Sequence, residues 1–203
     1  MRRVALALLI AVVLIGIGEY SHHPTYQHVK ASAREMVASP HLTIHFSPNG
    51  GCTNAIVEEI NNAKQSVYIQ AYSFTSQPIV QATINAFKKG LTVGVILDKS
   101  QLHGPGSIGN DLLTNHVPTW VDAKHAIAHN KIIIVDGNMV STGSFNFSES
   151  AESRNAENLI QIPDIDIAIL YKANWDLHKT HSDELTKSLL LSRRKKSKEA
   201  QPE

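Results

Sequence analysis

The chain has 203 residues, 42% hydrophobic and 18% charged, which suits one domain with short appendages and a real apolar core. A net charge of +1 singles out no class of partner, and a single cysteine, Cys52, excludes an intramolecular disulfide and a cysteine-built zinc ribbon. Charge concentrates only at the C-terminus, where Arg193, Arg194, Lys195, Lys196 and Lys198 form a basic tail. Residues 193–203 read as a solvated, disordered end that can also hold a polyanion, nucleic acid or anionic lipid.

The chain opens with Arg2 and Arg3 and then runs VALALLIAVVLIGIG, the pattern of an export signal. The run is short for a membrane span, which takes roughly 20 residues. Gly16 and Gly18 are spaced for cleavage, but Glu19 and Tyr20 suit it poorly. Residues 1–20 are therefore a signal peptide or an N-terminal anchor, and the body is exported, periplasmic or secreted, or held at a membrane. Residues 21–40 are polar and without periodicity, and form a linker.

The body, residues 41–192, alternates strand and helix patterns. Leu42 to Pro48 alternates and ends in Asn49-Gly50-Gly51, a strand and a turn. Thr53 starts a helix with Ile56, Val57 and Ile60 inward and Glu58 and Glu59 outward. SVYIQAYSF is a second strand, Gln77 to Lys89 a helix stopped by Gly90, and LTVGVILD a strand apolar on both faces. Gly104 to Gly109 is a loop; a short helix and a strand near Thr119-Trp120-Val121 follow. NKIIIVDGNMVSTG is a β-hairpin turning at Asp136-Gly137-Asn138, and AENLIQI is another strand. Asp164 caps a long final helix with Ile167, Leu170, Tyr171, Leu177, Leu185 and Leu189 as buried candidates. This order predicts an α/β fold: a mixed, mainly parallel sheet flanked by helices on both faces. Trp120 and Trp175 are core residues in this reading, and His103, His116, His125, His178 and His181 are surface histidines.

Chemistry concentrates in residues 129–146, HNKIIIVDGNMVSTGSFN. His129 and Lys131, two apart on a strand, share a face. The returning strand brings Gly143, Ser144 and Asn146 back beside them, and Gly143 permits a close backbone approach or an unusual backbone angle. Asn146 with Glu149 is expected to cap a short helix whose amides suit phosphate. Lysine supplies a fixed charge for a phosphate oxygen, serine and asparagine neutral donors, and histidine a nucleophile or acid-base group. No carboxylate cluster is present to hold Mg²⁺, so no metal set and no cofactor are assigned. Asp136, before Gly137, is a turn residue with a structural duty.

The pattern H-x-K-x4-D-x6-G-S-x-N is complete as His129, Lys131, Asp136, Gly143, Ser144 and Asn146. Chance produces it in on the order of one chain in 10⁵–10⁶ at average composition. The chain thus resembles the phospholipase D superfamily, in its branch with one such motif, and most of all its small exported bacterial endonucleases and phospholipase-like proteins. The similarity runs from FSPNGGCTNAI through YIQAYSFTSQPI to NAENLIQI, over most of Leu42 to Leu191. The resemblance implies that His129 attacks phosphorus and forms a phosphohistidine, that Lys131, Ser144 and Asn146 bind the phosphate, and that Asp136 supports the motif. It implies that Glu157 hydrogen-bonds the histidine and fixes its tautomer. It further implies a homodimer, in which a second copy of His129 protonates the leaving alkoxide. His28-Val29-Lys30, with Glu35 in place of the aspartate and no G-S-x-N downstream, is no second motif. The expected function is a nonspecific endonuclease on DNA or RNA. The alternatives are a phospholipase D acting on phosphatidylcholine-like lipids and a silent phosphate-binding module.

Overall fold

The computed structural model describes residues 42–102 and 108–191. The expected signal or anchor, the linker, most of the glycine- and proline-rich loop with His103, and the basic tail lie outside these residues.

Strands β1 (Thr43–Ser47), β2 (Ser66–Ala71), β3 (Thr92–Asp98), β4 (Thr119–Asp122), β5 (Lys131–Val135), β6 (Met139–Gly143), β7 (Glu157–Ile162) and β8 (Asp183–Glu184) form one sheet. Its order is β1-β7-β6-β5-β2-β3-β4-β8. Helices α1 (Cys52–Asn62), α2 (Gln77–Lys88), α3 (Gly109–Thr114), α4 (Glu149–Ser153) and α5 (Ile165–Thr180) connect the strands.

The strand parity explains the layers. Val67, Ile69, Val93, Val95, Leu97 and Ile133 project to one face and bury Ile56 and Ile60 of α1 and Ile79 and Ile84 of α2. Ile96, Ile132, Ile134 and Val140 project to the other and bury Ala168 and Trp175 of α5. Full burial of such aliphatic side chains contributes about 1.5–3 kcal/mol each. Trp175 is 2% exposed, and its indole donates to the Ile69 carbonyl at 2.9 Å, which satisfies its one polar group. It lies against Gly94, where a Cβ would sit 2.8 Å from the indole, so the central strand needs a glycine there.

The mixed α/β class with helices on both faces is as expected, but the balance within the sheet is not. Neighbours run parallel only at β2–β3 and β3–β4. The pairs β1–β7, β7–β6, β6–β5, β5–β2 and β4–β8 are antiparallel. Only the crossovers through α2 and α3 generate parallel neighbours; the β5–β6 hairpin docks antiparallel on β2 and extends the sheet by simple reversals. β1 lies at the far edge, paired with β7.

The end of the chain also differs. Asp164 caps α5 as expected, its carboxylate accepting from Ile167 N at 2.9 Å. The helix stops at Thr180, however, and residues 183–191 return as a short strand and a helical turn. Leu185 is buried, whereas Leu170 and Leu177 are 70% and 61% exposed. Glu59, expected outward, is turned in: Ser141 Oγ and Gln161 Nε2 donate to its carboxylate, and burial raises its pKa. Among the described residues no helix is long and apolar enough to cross a membrane.

Candidate active site

The carboxyl ends of β2, β3, β4 and β6 and the amino ends of β5 and β7 meet at one edge of the sheet, because β5 and β7 run opposite to the others. A cleft of about 360 Å³ opens there, lined by His129, Lys131, Gly143, Ser144, Asn146 and Glu157. Residues separated by up to 28 positions thus converge as the motif required.

Lys131 is the first residue of β5 and only 6% exposed. Its ammonium donates to the His129 carbonyl at 2.7 Å and lies 5.2 Å from the centre of the Tyr72 ring. Burial pulls its pKa below the ordinary lysine value, and the Glu157 carboxylate pushes back. His129 precedes the strand rather than sitting in it, with its ring exposed and 4.6 Å, centre to centre, from Tyr72. Tyr72 therefore backs both groups. The motif did not reveal it; only its place at the end of SVYIQAY, opposite the start of β5, could have done so.

Gly143 takes φ 151°, and a Cβ there would lie 2.2 Å from the Asn158 carbonyl oxygen. Both sequence expectations for this glycine hold. The close approach lets Asn158 N donate to Ser144 Oγ at 3.1 Å and Phe145 N donate to Asn158 O at 3.1 Å, which fixes the path of the segment. Asn146 carries a buried side-chain oxygen with no partner, an unsatisfied acceptor facing a ligand-sized cleft. It does not cap the following helix. Ser148 does, accepting from Ala151 N at 3.2 Å, and α4 has 5 residues, too short for the anion site expected at its start.

Position decides two further expectations. Asp136, read above as a turn residue that supports the motif, lies at the opposite end of β5 from Lys131. It adopts φ 52° in the hairpin turn, and its carboxylate accepts from the backbone amides of Lys64 at 2.8 Å, Gln65 at 2.7 Å and Ser66 at 2.9 Å. Those three donors hold its pKa below the usual carboxylate value despite partial burial. Its role is to splice the hairpin onto the start of β2. Glu157 does line the cleft, but the hydrogen bond it makes is to Asn155 Nδ2 at 3.1 Å, not to His129.

The histidines read as surface residues include three that are not independent. His125, His178 and His181 surround the buried carboxylate of Asp122 at the end of β4. His116 is exposed, in a left-handed backbone conformation at φ 58°. Cys52 is buried and free.

A sheet edge that presents a nucleophilic imidazole, a half-desolvated lysine and amide and hydroxyl groups to one cleft defines a phosphoryl-transfer domain. Comparison with known proteins agrees. The family model described as "Cardiolipin synthase, PLD-like domain" matches residues 56–177. The chain is 44% identical over 138 residues to "Phospholipase D" of Rickettsia prowazekii (strain Madrid E), covering 68% of this chain and 67% of that protein. It is 35% identical over 181 residues to "Phospholipase D" of Rickettsia felis, covering 82% and 90%. Among solved structures, the phospholipase D family member Nuc from Salmonella typhimurium superposes with a TM-score of 0.68 at 32% identity, covering 71% of this chain and 97% of Nuc. The chain belongs to the phospholipase D superfamily, and it is a phosphodiesterase-type enzyme.

Proposed function

We propose that the enzyme hydrolyses phosphodiesters through a covalent phosphohistidine on His129, in a composite site at the axis of a homodimer, with a phospholipid as substrate. The convergence of His129, Lys131, Ser144 and Asn146 on one cleft carries the proposal. The His129 imidazole attacks phosphorus. The P–O bond to the leaving alcohol breaks, and the second subunit's copy of His129 gives that alkoxide its proton. The same second imidazole then takes a proton from water, whose oxygen attacks the phosphohistidine and releases the phosphomonoester and free His129. Lys131 neutralises charge developing on the non-bridging oxygens. The carboxylate that lines the cleft among the described residues is Glu157 alone, so charge stabilisation falls to the lysine and the neutral donors rather than to a carboxylate-held cation.

Phe46 and Ile44 support both the dimer and the lipid reading. They are 66% and 49% exposed on the α5 side of edge strand β1, and Phe46 is the register partner of Asn158, which holds Ser144. An apolar rim directly beside the cleft suits burial against a second subunit or contact with acyl chains. The relatives named phospholipase D favour lipid. Hydrolysis of DNA or RNA is the second reading, supported by the basic tail at residues 193–198.

Incubation of the purified protein with labelled phosphatidylcholine vesicles and, separately, with plasmid DNA tests the substrate. Head-group release that vanishes in His129→Ala is expected. Nicking of DNA without head-group release would replace the lipid reading, and binding without turnover of either would leave a phosphate-binding module. Acid quench during turnover should trap phosphate on His129; phosphate on any other residue would overturn the mechanism.

A further inference from the structure

The Asp122 cluster lies at the same edge of the sheet as the cleft, three strands away across β2 and β3, or roughly 14 Å by strand spacing. Asp122 is fully buried, and its two oxygens are differently committed. Oδ1 accepts from the backbone amides of Lys124 at 3.1 Å and His125 at 3.4 Å. Oδ2 has no backbone partner and faces three imidazole nitrogens: His178 Nδ1 at 2.8 Å, His125 Nδ1 at 2.9 Å and His181 Nε2 at 3.4 Å. The rings pack around it with centres 5.0, 5.2 and 5.3 Å apart.

As a hydrogen-bond network this arrangement is over-subscribed. One carboxylate oxygen offers two lone pairs to three donors, and three imidazolium rings in such proximity repel one another. A divalent cation resolves both problems, because it takes one oxygen and three neutral imidazoles as ligands. Tetrahedral bonds of about 2.0–2.1 Å place ligand atoms about 3.3–3.4 Å apart. Here the four ligand atoms all lie within 4.8 Å of one another, so each has to move by about an ångström or less to meet that geometry. The backbone amides on Oδ1 are the outer support that ligating carboxylates usually have. His178 and His181 sit at the C-terminal end of α5, where the helix dipole favours a cation.

We propose that Asp122, His125, His178 and His181 bind a divalent transition-metal ion of the Zn²⁺ class. Three nitrogens and one oxygen suit borderline-soft ions rather than Mg²⁺ or Ca²⁺. The site is structural. Asp122 and His125 stand at the start of the stretch that leads from β4 to β5 and carries His129, His178 is in the last turn of α5 and His181 is its C-cap, so the ion ties that stretch to the end of the helix. Apart from the cluster, the stretch is anchored by Ala128 N donating to the buried Asp98 at 2.7 Å and by Lys99 Nζ donating to the His125 carbonyl at 2.7 Å. At its distance from Lys131 the ion does not touch the reacting phosphate.

The test uses the full-length protein stripped with chelator and titrated with Zn²⁺ alone in a calorimeter, alongside thermal melting with and without the ion. One equivalent per chain with micromolar or tighter affinity and a rise in Tm is expected. Co²⁺ should give the intense visible absorption of a tetrahedral nitrogen-oxygen site. His178→Ala and His125→Ala should each weaken binding at least tenfold and abolish that absorption. His125, 43% exposed, can be replaced without disturbing the core, so the test survives if other variants fail to fold. The chain has 11 histidines, and binding that persists unchanged in a His125→Ala/His178→Ala variant would place the ion elsewhere and overturn the proposal. Absence of saturable binding below millimolar Zn²⁺ would overturn it equally.

Discussion

Replacing Asp136 separates a motif residue that holds the fold from one that touches substrate. In Asp136→Ala three backbone amides, those of Lys64, Gln65 and Ser66, lose their acceptor. They lie near the surface, so each bond is worth about 1 kcal/mol rather than the buried maximum. Alanine at φ 52° adds about 1 kcal/mol of backbone strain. The sum, about 4 kcal/mol, lowers Tm by roughly 8–16 °C in a protein of this size. Asp136→Asn keeps an oxygen for Gln65 and Ser66, tolerates the left-handed conformation and loses the charge; about 1–2 kcal/mol is expected. The carboxylate is held below its unfolded pKa, so its contribution is present above about pH 4 and is lost as pH falls through the folded value. Asp136→Asn should therefore flatten the acid limb of stability against pH. Denaturant melts and initial rates, both at a temperature where the variants are folded, make the comparison. Near wild-type kcat with reduced stability is the expected pair of results. A fully stable Asp136→Asn that loses turnover a hundredfold would show that Asp136 acts on the chemistry and that its place at the far end of β5 has been misjudged.

Gly143→Ala should give little folded protein, because the added methyl meets the Asn158 carbonyl oxygen at 2.2 Å and neither backbone can yield without opening the β6–β7 pair; a soluble variant with wild-type Tm would contradict this. Lys131→Ala should cost turnover about 10²–10³-fold, the usual loss for a preorganised charge donor, with KM little changed; a loss confined to KM would show uniform binding instead. When wild type is mixed with His129→Ala under subunit exchange, activity should fall as the square of the wild-type fraction, and a linear fall would show that one chain completes its own site. Chelated protein should melt earlier yet retain turnover well below its Tm, since the Asp122 cluster lies about three strand spacings from Lys131; loss of turnover in a folded, metal-free sample would move the ion into the chemistry.

Local pattern alone was enough for the β5–β6 hairpin, its turn at Asp136-Gly137, the helix cap at Asp164 and the requirement for glycine at 143, because each depends on residues a few positions apart. The spacing of His129, Lys131, Ser144 and Asn146 belongs to the same class: a hairpin of fixed length returns its second strand to the start of its first, so the cleft is written into one short segment. Strand order is different. Period-two alternation says which face a residue takes and nothing about which strand lies beside it, so no local pattern pairs β1 with β7, more than 100 residues on. Amphipathic periodicity failed on α5 for a related reason. Its apolar residues exceed what one face of a sheet can cover, and packing chose Ala168 and Trp175 for the core while leaving Leu170 and Leu177 outside. The partners of Glu59 and the histidines of α5 around Asp122 are matters of tertiary structure in the same way: His178 reaches Asp122 across 56 positions, and no spacing rule announces it. A charged or titratable side chain takes its role from the groups that share its low-dielectric surroundings, and those surroundings exist only once distant strands and helices have packed.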